Sequence, residues 1–253
     1  NIDPEAVAIA AHTLTPISFL EKLLLNRDTW TIEDLNTKGL CGWQILNGQQ
    51  DKGFHAGMDL WKKNLNQGVR QQIFAGNDAH GNFNRYRQVR LPMVSMREDY
   101  HHLFGKVTTR LKTGSMVCRE SIVESLRQGS SVLSDGPALD LTVVTKTGIA
   151  EIGGEVNSEN DGDIQIEYLT TAEYGKPKEL NLYCGGEGKE IKLENYTTNK
   201  HPKLSNWAGK LARPLFGNKY LRAELITEHE TGRLYHSLTN PIWLTNRGTK
   251  SIK

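Results

Sequence analysis

An α/β architecture followed by an all-β one is the fold class this sequence of 253 residues predicts. Three observations carry the expectation. Residues 6 to 135 alternate short continuous apolar runs with segments whose apolar residues fall at helical spacing, the order of a parallel α/β sheet. From Leu139 onward apolar and polar residues alternate one by one, as in antiparallel strands packed on one face. Between the two regimes stands Gly136-Pro137, a turn signal. The reading divides the chain into an α/β portion at 1–137 and a β-sandwich at 138–253.

The elements follow in order. Ala6 to Ala11 is continuously apolar and ends at His12, which suits a strand covered on both faces. Pro16 precedes Ile17 to Leu25, apolar at helical spacing, and Thr31 to Leu35 starts a helix with Glu33 and Asp34 in its first turn. Cys41 to Leu46 is a second strand, closed by the turn pair Asn47-Gly48. Gly57 to Gly68 reads as a helix with Met58, Leu60, Trp61 and Leu65 on its apolar side and Gly68 as its stop. Val69 to Ala75 is the next strand, and Gly76 to Gly81 the loop at its end. Glu120 to Gln128 is a helix bearing Ile122, Val123 and Leu126, with Gly129 after it. Behind the boundary, the runs at Leu139, Ile164, Leu180, Ile191, Tyr220 and Tyr235 give six or seven alternating strands, the count of a small sandwich. Gly185-Gly186-Glu187-Gly188 falls between two of them and reads as a hairpin turn.

Composition excludes several functions. Net charge is +2, from 31 basic and 29 acidic residues, so no global field draws the chain to nucleic acid or an anionic membrane. No apolar run approaches the roughly 20 residues of a membrane-spanning helix. Cys41, Cys118 and Cys184 are far apart and form no CxxC pair, which argues against a zinc knuckle or a disulfide framework. The sequence opens at Asn1 and enters a strand almost at once. The expectation is a fragment of a longer protein, with no compartment readable.

Chemistry concentrates in Gly76-Asn77-Asp78-Ala79-His80-Gly81, directly after an apolar strand. Carboxylate and imidazole are the ligands zinc, manganese and iron use. Flanking glycines let the backbone turn sharply, and the C-terminal end of a parallel strand is where α/β folds place their sites. His12 ends the first strand in the equivalent position. The plainer reading makes Asp78 a cap and His12 and His80 satisfied polar residues. His55, in a glycine-flanked loop before a helix, and Arg85 and Arg87, with Arg90 after the Asp-x-His loop, are candidates for substrate contact. A guanidinium suits phosphate or carboxylate there, and a solvated loop is the alternative. His101-His102, His201, His229 and His236 read as surface or strand residues.

Taken in order, these segments resemble the PHP (polymerase and histidinol phosphatase) superfamily of metal-dependent hydrolases. Ala8 to His12 is similar to its late strand ending in a metal-binding histidine, with Thr13 where proline is usual. Gly42 to Gly48 is similar to its next strand, with Gln44 in place of the usual glutamate and no metal role assigned. Trp61 to Gly68 and Phe74 to Gly81 resemble its last helix, strand and Asp-x-His ligand pair, and Ser121 to Pro137 the stretch that closes the domain. Tyr220 to Glu224 and Thr239 to Ile242 resemble the β-domain of the carbaryl-hydrolase-like branch.

The resemblance implies the C-terminal part of a distorted (β/α)7 barrel followed by a β-sandwich. It also implies two or three divalent metal ions, with His12, Asp78 and His80 among their ligands, and hydrolysis of a small phosphoester or other ester by metal-activated water. The superfamily's His-x-His pair, and further His, Asp and Glu ligands, lie upstream of the His12 strand and have no counterpart here, so a missing N-terminal segment is expected. A non-catalytic module is the other reading, in which the β-domain binds a glycan or a protein partner; Trp207 and Trp243 could serve a glycan platform, with core packing the plainer reading of both.

Overall fold

The structure, a computed structural model, describes residues 6–17, 19–26, 28–79, 88–91, 94–97, 102–146, 148–157, 162–186, 188–197, 206–210 and 219–245. Four helices, α1 (Phe19–Leu25), α2 (Ile32–Leu35), α3 (Lys52–Asn66) and α4 (Arg119–Gln128), lie among the described residues. The first strands are β1 (Ala8–Ala10), β2 (Leu40–Asn47), β3 (Gln72–Gly76), β4 (Gln88–Leu91), β5 (Val94–Arg97), β6 (Thr108–Leu111) and β7 (Ser131–Ser134). Behind them come β8 (Ala138–Thr145), β9 (Gly148–Glu151), β10 (Glu155–Asn157), β11 (Gly162–Leu169) and β12 (Lys176–Gly186). The last are β13 (Lys189–Thr197), β14 (Asn206–Lys210), β15 (Tyr220–Glu228), β16 (Leu234–Thr239) and β17 (Ile242–Thr245). The fold is mixed, and strands outweigh helices.

Strands β1, β2 and β3 form a parallel three-stranded sheet in that order. The helix α3 makes the crossover between β2 and β3. Its start is fixed by Asp51, whose Oδ1 accepts the Phe54 N–H at 2.9 Å, an N-cap worth about 1 kcal/mol. Phe54, Met58, Trp61 and Leu65 line its buried stripe. Gly57 lets the helix settle on β2, because a Cβ there would meet Ile45 Cγ2 at 2.9 Å. Gly68, at φ 84°, stops the helix by entering the left-handed region. The third strand begins at Gln72, three residues later than the apolar run: Trp61 Nε1 donates to the Gln71 carbonyl at 2.8 Å, and Val69 lies exposed.

The rest is antiparallel apart from the parallel β10–β17 pair. One sheet runs β10-β17-β15-β16-β7-β6, with β12 and β13 joined through β15; a second runs β14-β11-β8-β9. Leu141 and Val143 of β8, Ile164 and Ile166 of β11, Leu180 and Leu182 of β12, and Leu221 and Leu225 of β15 share one core. The larger sheet takes β6 and β7 from before Gly136-Pro137 and pairs β7 with β16. A second core joins the parallel sheet and α3 to Leu133, Tyr220, Leu238 and Trp243.

Side chains seal the free edge of β3. Asn240 Oδ1 accepts the Ile73 N–H at 2.9 Å, and its Nδ2 donates to the Ile73 carbonyl at 3.0 Å and to Ser131 Oγ at 2.8 Å. Thr109 Oγ1 accepts the Ala75 N–H at 2.8 Å and donates to the Ala75 carbonyl at 2.9 Å. Ile73 therefore lies beside Ser131, and Ala75 beside the Thr109–Leu133 pair, so β7 runs alongside β3 in the same direction.

The other face of the larger sheet meets α3 through a buried ion cluster. Arg222 donates from Nε and Nη2 to Glu190 at 2.6 Å each and from Nη1 to Glu224. Its guanidinium stands 4.2 Å from the Tyr183 ring centre and 5.5 Å from that of Trp61 on α3. Tyr220 Oη donates to Glu190 at 2.9 Å and lies 3.2 Å from Asn66 Oδ1, also on α3. Burial works against the Arg222 charge, but Glu224 and Glu190 outweigh it and raise its pKa above the ordinary range.

Candidate functional site

The three parallel strands end on one edge of their sheet, and two of the predicted ligands sit there. His12 lies two residues beyond β1 and Asp78 two beyond β3. Both adopt left-handed backbone, at φ 36° and 52°. Few non-glycine residues do so, and such conformations cluster at functional sites. Gln44 and Asn47 of β2 stand between them: Gln44 Oε1 accepts the His12 N–H at 3.3 Å, and its Nε2 donates to Asn47 Oδ1 at 3.1 Å. Thr13, itself buried, ties its N–H and hydroxyl to the Gln44 carbonyl at 3.3 Å each. Gln44 thus braces the His12 turn. Next to Asp78, Asn77 Oδ1 accepts the Val107 N–H at 3.4 Å and ties the loop to the approach to β6.

His80, Arg85 and Arg87 lie outside the described residues, as do His101 and His201 and the side chains of Arg90 and Trp207. Imidazole and carboxylate at one strand-end edge fit a divalent metal by donor chemistry. Among the described residues no group of three or more His, Cys, Asp or Glu side chains is placed to hold one. Trp243 is buried in the core, which removes it as a glycan platform.

A neighbouring polar centre is built on Asp135, a residue absent from the candidate ligands and contacts read from the sequence. Asp135 follows β7, which runs with β3, and so reaches the same edge as Asp78. Its Oδ1 accepts the His236 N–H at 2.6 Å, its Oδ2 the Gln50 amide at 3.3 Å, and its own N–H donates to the His236 carbonyl at 3.2 Å. Burial raises its pKa above the usual carboxylate range against these bonds. His236 is itself pushed below the ordinary histidine range, first by burial and then by the charge of His55. His55, in the first turn of α3, is exposed, and its charge reaches His236. The sequence signal for Asp135 is Ser134-Asp135-Gly136-Pro137, which reads as a turn and conceals a half-buried carboxylate.

A cavity of about 180 Å³ lies beside Asp135, with Lys106, Glu173, Tyr174, Arg233 and Tyr235 in its wall. Among the described residues no helix is long and apolar enough to cross a membrane. Compared with known proteins, the chain matches no family model, no curated protein and no solved structure.

Proposed function

We propose that this chain forms part of a divalent-metal hydrolase of the PHP type, acting on small phosphoesters. The supporting observation is the shared strand-end edge: His12 after β1 and Asp78 after β3, each in left-handed backbone, with Asp135 reaching the same edge. On this reading the parallel sheet belongs to a distorted (β/α)7 barrel, and the facing antiparallel sheets form the appended sandwich.

His12, Asp78 and His80 would hold the metal, zinc, manganese and iron all suiting these donors. When bound, the metal supplies a water acidic enough to attack phosphorus at neutral pH. The chain's own residues prepare the site. Gln44 fixes the His12 turn through the bond to its N–H. Asn77 fixes the Asp78 loop through Val107. The half-buried Asp135, held by Gln50 and His236, gives a polar wall on the same side.

The test is metal content after exhaustive dialysis, with phosphoester hydrolysis measured in parallel, for the chain and for its Asp78→Ala/His80→Ala variant. Retained divalent metal that the double variant loses is the expected result. Equal metal in both, or none in either, would sink the assignment of these ligands.

A further inference from the structure

The cavity beside Asp135 is assembled from four separate segments. Lys106 comes from the approach to β6, Asp135 from the turn after β7, Glu173 and Tyr174 from the turn between β11 and β12, and Arg233 and Tyr235 from the start of β16.

Its walls are built rigidly. The Tyr174 and Tyr235 rings meet edge to face, 5.3 Å apart at 76°. The Arg233 guanidinium lies 4.9 Å over the Tyr235 ring. Thr227 Oγ1 donates to the Tyr174 carbonyl at 2.5 Å, and Gly136 lies so close to the Tyr174 ring that any Cβ would collide with it. Asp135 is pinned from two sides. The cavity also adjoins the candidate metal loop: Lys106 precedes Val107, whose N–H is held by Asn77, the neighbour of Asp78.

Size and charge narrow the ligand. At about 180 Å³ the space is below the roughly 300–1,000 Å³ of pockets for drug-sized molecules, so it suits one ring. Two bases and two acids face it, which balances the charge. A bare dianion would meet Asp135 and Glu173, and a bare ammonium would meet Lys106 and Arg233. One base and one acid of the wall also stand near each other. Arg233 precedes by three residues the His236 N–H that holds Asp135, and its field reaches that carboxylate. A zwitterion needs its opposite charges met at separate ends. A ring bearing several hydroxyls needs alternating acceptors and donors, with an aromatic face for its C–H side.

We propose that this cavity binds a single hydroxyl-rich ring of monosaccharide size, and that it seats the non-reacting part of a sugar phosphoester. The second clause rests on the hydrolase reading; the first does not. The test is binding of glucose to the chain by calorimetry and saturation-transfer NMR, compared with inorganic phosphate and glycine. Glu173→Gln and Arg233→Gln serve as variants, both at exposed positions, with folding checked by circular dichroism. Glucose should bind better than phosphate or glycine, and each variant should weaken it about tenfold, the effect of one lost charge-assisted bond. Glycine or phosphate binding as well as glucose, or variants that leave glucose binding unchanged, would overturn the proposal. Hydrolysis separates the two readings. Cleavage of p-nitrophenyl phosphate with no preference for glucose 1-phosphate rejects the seating of a sugar phosphoester and keeps the hydrolase. Glucose binding with no phosphoester cleaved rejects the hydrolase and keeps the sugar site.

Discussion

Arg222 offers two donors to one carboxylate of Glu190, each at 2.6 Å, in a region where the arginine is only 1% exposed. The pair belongs to the seam between α3 and the large sheet, since Trp61 and Asn66 of α3 complete it. Removing one partner leaves the others charged and dry. Arg222→Ala is expected to cost about 3–5 kcal/mol in urea unfolding, because Glu190 and Glu224 lose their counterion together. A hydrophobic replacement of both, Arg222→Met with Glu190→Leu, should recover part of that loss. A single-variant loss under about 1 kcal/mol, the range of exposed pairs, would mean that water reaches the cluster.

His236 makes stability depend on pH. Burial and the charge of His55 hold its folded pKa below the unfolded value. A depressed base binds fewer protons folded than unfolded, so its contribution is present above the unfolded pKa and is lost as pH falls through the folded one. Thermal unfolding should therefore show stability declining as pH drops below about 6.5. His236→Gln should flatten that slope. Asp135 acts with the opposite sign in a lower window. Its raised pKa gives a contribution present below the unfolded carboxylate pKa and lost as pH rises through the folded value, so Asp135→Asn should remove a decline on the alkaline side of that window. An unchanged profile in both variants would refute the assignments.

The edge of β3 supplies a third expectation. Asn240 is fully buried and satisfies both backbone groups of Ile73. Asn240→Ala orphans a buried N–H and a buried carbonyl, each costing about 1–3 kcal/mol. A loss of about 2–4 kcal/mol should be accompanied by faster amide exchange at Ile73. Thr109→Val keeps the shape and removes the bonds to Ala75, and should cost less because the site is only partly buried. Unchanged exchange at Ile73 would show that another group seals the edge.

What the sequence discloses of this fold follows from what each pattern measures. Continuous apolar runs mark strands covered on both faces, and β1, β2 and β3 sit where Ala6 to Ala11, Cys41 to Leu46 and Val69 to Ala75 predict them, within a few residues. Alternation reports which face of a strand is buried but not its partner. The pairing of β7 with β16, which draws residues from before Gly136-Pro137 into the large sheet, was therefore not legible. Ile17 to Leu25 has helical spacing, yet α1 leaves Phe19 78% and Leu24 60% exposed, because periodicity does not reveal what an apolar face packs against. For the candidate site, the sequence singles out His12 and Asp78 by strand-end position, and both do follow strands, in left-handed backbone. Asp135 was hidden because its partner His236 lies 101 residues away, and a turn motif looks the same whether its carboxylate is buried or solvated.

Asp78 allows backbone and ligand roles to be separated. Its φ of 52° is a conformation that most residues adopt at a cost and that asparagine tolerates as well as aspartate. Asp78→Asn keeps the turn and the side-chain volume while removing the charge a metal requires. The folded state should stay within about 0.5 kcal/mol of wild type, as for a substitution that preserves local geometry. Retained divalent metal should fall at least about tenfold, by the loss of one anionic donor. A variant that loses stability but keeps its metal would make Asp78 a structural turn residue. One that keeps stability and loses metal would make it a ligand, with left-handed backbone at the strand end as the means by which the loop presents it.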